Sequence, residues 1–173
     1  MKELLKRYSF FISTFLIIVG LIYVNKDIGL GSLELAKGSF IQMIKVLPPI
    51  MILLGLIDVW VPRERMVRYM GDDSGLKGIL LAMFVGMIGA GPMYAAFPFT
   101  AVLIKKGVKF SNVIIFLNTW SVLKISTVLF ELSSLGYNFT LLRLIINIPA
   151  VIIMGYLTEK LMGMDQLARI YKS

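Results

Sequence analysis

No cysteine and no histidine occurs among the 173 residues. Their absence excludes thiolate and imidazole metal sites, haem ligation, cysteine nucleophiles and Ser-His-Asp triads. It also leaves no disulfide from which a compartment could be read. Charge is scarce too: only 16% of residues are Asp, Glu, Lys or Arg, where a soluble domain carries about 25%. In its place the chain is 58% hydrophobic, with a mean hydropathy of +0.84. These values describe an all-α integral membrane protein of a single domain, residues 1–173, with no room for a soluble catalytic module. No nucleotide-binding motif, low-complexity segment or clear repeat is present. The net charge of +8 fits basic loops held on the cytoplasmic side, and no nucleic-acid partner is expected. The apolar run after Arg7 has no small-residue cleavage site and is followed by Asn25-Lys26-Asp27. It reads as a first span and not as a cleaved signal.

A span needs about 20 apolar residues. Four segments qualify: 8–24, 39–61, 113–132 and 138–157. A fifth, 78–104, is apolar but broken, with Gly89, Gly91, Pro92 and Pro98 near its centre. Proline lacks the backbone donor and clashes with the preceding turn. In lipid the freed carbonyls must find protein or a water-filled cavity, and broken segments recurrently build substrate sites in transporters. Residues 25–38 read as an outer loop and 158–173 as a short charged tail. Between them, 62–77 is a cytoplasmic loop with a short amphipathic helix over 63–70. Asp72 and Asp73 read as a solvated helix cap, not a cation site.

Basic residues outside the apolar segments decide how 78–104 runs. If it enters and leaves on one side, thirteen (Lys2, Lys6, Arg7, Arg63, Arg65, Arg68, Lys77, Lys105, Lys106, Lys109, Lys160, Arg169 and Lys172) share one face, against Lys26 and Lys37 on the other. That is a strong positive-inside bias, with both termini cytoplasmic. If the segment crosses, the split is seven against eight. The favoured architecture is therefore four transmembrane helices plus a re-entrant helical hairpin. Its arms, each about 20 Å long, are too short for a core of about 30 Å. The alternative is five spans with dual topology, giving antiparallel homodimers.

Gly78, Ala82, Gly86 and Ala90 form a small-residue stripe suited to close helix packing. Gly89, Gly91 and Pro92 differ from it: they imply a break with exposed backbone groups. Tyr94 beside that break can donate to a substrate or satisfy a freed carbonyl. Lys124 lies about eleven residues into 113–132, near the bilayer midplane, where a lysine costs about 2.5–3.5 kcal/mol to insert. Such a residue faces a cavity, a partner charge or an ion pathway. Asn118, Thr119 and Ser121 can satisfy backbone groups at a second weak point in that segment. Glu131 and Arg143 end consecutive spans at matching heights, which suits a structural ion pair. Lys45 can snorkel, Asp58 can cap its span or pair with the basic loop, and Pro48-Pro49 should kink the second span.

Several runs carry a family resemblance: Gly71-Asp72-Asp73-Ser74-Gly75-Leu76-Lys77-Gly78, Gly91-Pro92-Met93-Tyr94-Ala95-Ala96-Phe97-Pro98, and Leu103-Ile104-Lys105-Lys106-Gly107. Asn112 to Trp120, Lys124-Ile125, Glu131, Leu135-Gly136 and Arg143 follow at matching spacings. Residues 40–157 resemble the predicted-permease family related to the organoarsenical efflux permeases, in its half-length form. The resemblance implies a multi-span transporter of the prokaryotic inner membrane. It also implies assembly with a second copy, since full-length members resemble two such halves. Trivalent arsenic is a soft ligand suited to thiols; with no cysteine here, arsenical specificity is not carried over.

The functional expectation is a permease or secondary transporter moving a small polar or anionic solute, working as a homo-oligomer in membrane lipid. Its substrate-binding residues would be Gly89, Gly91, Pro92, Tyr94, Pro98, Asn118 and Lys124, with no cofactor, metal or catalytic residue. The alternative is a non-transporting scaffold or regulatory subunit of a larger complex. An intramembrane enzyme lacks support, since no paired acids lie at mid-membrane.

Overall fold

The computed structural model describes residues 8–89 and 91–172, with the side chains of Leu54, Asp58, Met164 and Lys172 left out. Ala90 of the small-residue stripe, Lys2, Lys6, Arg7 and the side chains of Asp58 and Lys172 thus lie outside the described residues. Among the described residues every regular element is helical. The chain divides into two compact units, residues 1–48 and 49–173.

The first unit holds α1 (Ser9–Val24) and the first part of α2 (Lys26–Trp60). Asn25 separates them in an extended conformation. Its N–H bonds the Leu21 carbonyl at 2.7 Å, and its Oδ1 accepts from the Ile28 N–H at 3.3 Å. One residue therefore ends one helix through its backbone N–H and caps the next through its side-chain oxygen. The expected outer loop over 25–38 is instead helix. Gly29 serves a close approach: a Cβ there would collide with Ile22.

Among the described residues three helical stretches are long and apolar enough to cross a membrane: Lys26–Ile57, Phe110–Ser134, which is interrupted at Leu123-Lys124, and Tyr137–Leu161. Ser9–Val24 and Met93–Lys105 are shorter apolar helices. The architecture is that of a multi-pass membrane protein.

In the second unit, α3 (Arg63–Met70) is the short amphipathic helix expected in the 62–77 loop, and a 3-10 turn over Asp72–Ser74 leads into α4 (Gly75–Ile88). After the Gly89–Pro92 break, a 3-10 turn (Met93–Ala95) starts α5 (Ala96–Lys105). Then come α6 (Phe110–Val122), α7 (Ile125–Ser134), α8 (Tyr137–Leu161) and α9 (Met164–Lys172). The segment expected as one span over 113–132 is thus two helices, and the expected tail ends in a helix of its own.

The core lies between α4, α5 and α6. Gly78, Ala82 and Gly86 are buried on one face of α4 against α6. Gly78 faces Ser74 and Asn112, Gly86 faces Phe116 and Thr119, and Gly89 faces the Trp120 ring. Position numbers rise together on both helices, so α4 and α6 run parallel. The return arm α5 buries Phe99 against Phe116 and Trp120, with ring centroids 6.3 and 5.6 Å away.

The two ends of this folded-back segment meet. The Lys109 N–H donates to the Met70 carbonyl at 2.9 Å. Asn112 Nδ2 donates to the same carbonyl at 2.9 Å and to Ser74 Oγ at 3.2 Å. Lys106 Nζ donates to the Val61 carbonyl at 2.6 Å. Residues 75–105 therefore leave and return to one end of the unit. At 14 residues, α4 rises only about 21 Å.

α8 runs back along α7 and α6, with Gly155 against Ile115 and the Ser111 carbonyl. α9 docks through Tyr171, whose hydroxyl donates to the Val108 carbonyl at 2.6 Å. Burial, then the Asp72 and Glu159 carboxylates, push that hydroxyl up to about 12, so it stays a donor at neutral pH.

The small residues carry packing that lipid cannot replace. A Cβ at Gly86 would sit 2.8 Å from the Phe116 carbonyl oxygen and from Thr119 Cβ. Gly86→Leu is expected to cost about 1–3 kcal/mol by overpacking, read as a lower melting temperature in detergent. Gly20→Leu, in open space, should leave it unchanged; equal melting for both variants would refute the close approach.

Candidate functional site

Two helix breaks lie side by side. The first runs from Gly89 to Pro92. The Gly89 N–H bonds the Gly86 carbonyl at 3.2 Å, and Gly91 adopts φ +100°, a conformation L side chains resist. Pro92 follows in an extended conformation. Together they stop α4 and turn a peptide carbonyl, that of Gly91, out of any helical ladder.

The second break separates α6 from α7 at Leu123-Lys124. The Leu123 N–H closes α6 on the Thr119 carbonyl at 2.8 Å. Lys124 is extended, and its carbonyl accepts from the Thr127 and Val128 N–H groups at 2.9 and 3.0 Å, starting α7. No glycine or proline marks this break. The first N–H groups of α7, those of Ile125 and Ser126, have no intrahelical acceptor.

Lys124 joins the two breaks. Its Nζ donates to the Gly91 carbonyl at 2.9 Å, across 33 positions of sequence. An ammonium deep in an apolar segment thereby meets a carbonyl freed by the glycine-proline turn. Each group satisfies the other where lipid offers neither a partner.

Arg143 on α8 supports the second break from behind. Its Nη2 donates to the Val122 carbonyl, freed at the end of α6, at 2.7 Å, and its Nη1 pairs with Glu131. The guanidinium uses its fork to hold a helix end and a carboxylate together.

A cavity of about 450 Å³ opens on both breaks, lined by Met87, Ile88, Gly89, Gly91, Lys124, Ile125, Ser126 and Leu129. Its walls are largely aliphatic; its polar features are Lys124, Ser126, and the start of α7. A helix start favours negative charge through its free N–H groups and dipole. Cation, helix N-terminus and dry walls together suit a small solute with an anionic or strongly polar head. Gly89 and Ile88 also line a second cavity of about 270 Å³, with Phe99 and Trp120 opposite. The end of α4 is therefore a thin wall between two spaces.

The other singled-out residues fall around this centre. Pro98 is the third residue of α5, in the first turn where a missing N–H is tolerated. Asn118 turns its amide back to the Ile114 carbonyl at 2.9 Å, so its donor is spent on its own helix and does not reach the break. Tyr94 is in the 3-10 turn; its hydroxyl is buried without a partner among the described residues and satisfies no freed carbonyl. Thr119 Oγ1 and Trp120 Nε1 are buried and unpaired likewise. No group of three or more metal-ligating side chains occurs among the described residues.

Some residues were not singled out in the sequence. The Val122 carbonyl, Ser126, and the Ser74–Asn112 contact depend on chain segments far apart, and no local pattern marks them. Asn112 offered one signal: an amide at the start of an apolar run.

Compared with known proteins, residues 31–172 match the model of a family described as "predicted permease". No curated protein and no solved structure matches.

Proposed function

The chain belongs to the predicted permease family, and from that premise we propose that it moves a small anionic or polar solute across the cell membrane as a secondary transporter. Family membership points to a transporter rather than an enzyme. The observation that carries the reading is the Lys124–Gly91 contact across two helix breaks beside a solute-sized cavity. The solute's anionic head would take the place of the Gly91 carbonyl on Lys124. The Ile125 and Ser126 N–H groups and the Ser126 hydroxyl would hold its other oxygens. Gly89, Gly91 and Pro92 shape the site, and Tyr94 and Pro98 build the turn beside it.

In this reading residues 75–105 form a re-entrant hairpin rooted on the cytoplasmic side, with both termini cytoplasmic. A homo-oligomer completes the pathway. Support for the hairpin comes from the hydrogen bonds that tie Met70 to Lys109 and Asn112, and from the short arms.

Sided labelling tests the topology on a background free of native cysteine. Asp73→Cys and Lys105→Cys, both exposed positions, are expected to react from the cytoplasmic face only. Reaction of the two from opposite faces would replace the hairpin with a crossing segment. Flux is tested with purified protein in vesicles, by uptake of labelled organic anions against an imposed proton or sodium gradient. Absence of any gradient-driven uptake, with the protein folded and correctly inserted, would favour the scaffold alternative.

A further inference from the structure

A third cavity lies at the other end of the hairpin, away from the two breaks. It has a volume of about 440 Å³ and is lined by Arg63, Ala101, Ile104, Lys105, Ile170 and Tyr171. Three elements make it: the first residue of α3, the last turns of α5, and the end of α9. The Tyr171 hydrogen bond to Val108 holds α9 against this end of α5. Arg63 lies alongside Gly107, where a Cβ would be 3.6 Å from Nε and Nη2. That is ordinary contact distance, so the guanidinium lies along the turn after α5, whose glycine serves the backbone at φ +76°.

Neither Arg63 nor Lys105 has an ion pair or hydrogen bond among the described residues. Asp72 and Glu159 act on the Tyr171 hydroxyl, yet neither pairs with either cation. Two cations of different kinds share one concavity with the aliphatic walls of Ala101, Ile104 and Ile170. A guanidinium offers a planar fork to phosphate oxygens, and an ammonium adds a mobile point charge. Basic pockets between membrane helices are suited to phosphate head groups, with the adjacent apolar wall taking the chain.

We propose that this cavity binds a phosphate group, with Arg63 and Lys105 on the phosphate oxygens and, where the phosphate is esterified, Ala101, Ile104 and Ile170 along its apolar portion. The site is separate from the Lys124 cavity and does not depend on the transport reading. An anionic phospholipid and a free phosphate are the two sources of that chemistry.

Native mass spectrometry of the full chain in neutral detergent separates them. The probes are phosphatidylglycerol and inorganic phosphate, titrated in turn. Retention of phosphatidylglycerol alone assigns the site to lipid; retention of inorganic phosphate alone assigns it to a free phosphate. In either case Arg63→Ala/Lys105→Ala should weaken binding about 25-fold, a factor of about five per cation. The double variant Lys77→Ala/Lys160→Ala removes two exposed cations outside the cavity and should bind as the native chain does. Ala101→Trp fills the space without changing charge and should abolish binding, which guards against misfolding of the charge variant. Binding of neither probe, or equal binding by the two double variants, overturns the proposal.

Discussion

Replacing Lys124 with methionine is expected to lower solute uptake by about 10- to 100-fold, the equivalent of one charge-assisted hydrogen bond of roughly 1.5–3 kcal/mol. Methionine keeps the length and the apolar stem, so the change isolates the ammonium. Two consequences are separable. The solute loses its cation, which reduces uptake. The Gly91 carbonyl loses its donor, which loosens the break whether or not anything is transported. Lys124→Arg keeps the charge and a donor for Gly91, and should retain folding and part of the uptake. Uptake measured in vesicles, with melting temperature in parallel, distinguishes the two. Native uptake by Lys124→Met would remove this residue from the solute site.

Arg143→Met should destabilise the fold more than any other single substitution among the polar residues of α6 to α8. The side chains of Arg143 and Glu131 are only 22% and 12% exposed, and both belong to segments apolar enough to lie in lipid. Removing one partner from a largely buried pair costs about 3–5 kcal/mol, because the other charge remains without compensation. Here the loss also strips the Val122 carbonyl of its donor, and so unties the end of α6. Glu131→Leu should cost less, since Arg143 keeps Val122. The double variant Glu131→Leu/Arg143→Met should recover much of the loss. A thermal-unfolding cycle in detergent measures the coupling; additive single effects would show that the two residues act independently.

What the sequence made legible followed from local chemistry. The short helix over Arg63–Met70 is framed by Pro62 and Gly71, and its amphipathic pattern is complete within two turns. The break at Gly89–Pro92 is written in residues that cannot continue a ladder. Lys124 stood out because a lysine is costly in an apolar run, whatever its surroundings. Glu131 and Arg143 stood out by their heights at the ends of consecutive segments.

The misreadings have a common physical origin. Residues 25–38 read as an outer loop, yet helix is continuous from Lys26 to Trp60; at Gly29 the helix packs closely on α1, which no window of sequence reveals. The α6–α7 break carries no glycine or proline. It is stabilised from outside, by Arg143 on the Val122 carbonyl and by the Lys124 contact with Gly91, so tertiary partners decide it against local propensity. The candidate site is the meeting of these two kinds of break. The first is written in glycine and proline; the second showed only as a polar weak point at Asn118, Thr119 and Ser121, just short of the break at Leu123-Lys124, and their contact spans 33 positions. The last residues looked like a charged tail because Lys, Arg and Asp dominate the eye there. Helix α9 emerges only when Leu167, Ile170 and Tyr171 are seen to share a face.

The two ends of the hairpin are held very differently. At its base the backbone of Met70 is gripped by Lys109 and Asn112, and Ser74 is tied to the same amide. At its tip a single ammonium reaches the Gly91 carbonyl. Mechanically this is a cantilever: clamped at one end, latched at the other. Amide exchange should therefore begin near Gly89 and Gly91 and die away toward Gly78, even under conditions where the rest of the protein is rigid. Selection would act on the two ends separately. Substitutions at the clamp would bear on folding of the whole segment, and those at the latch on the order of the tip alone.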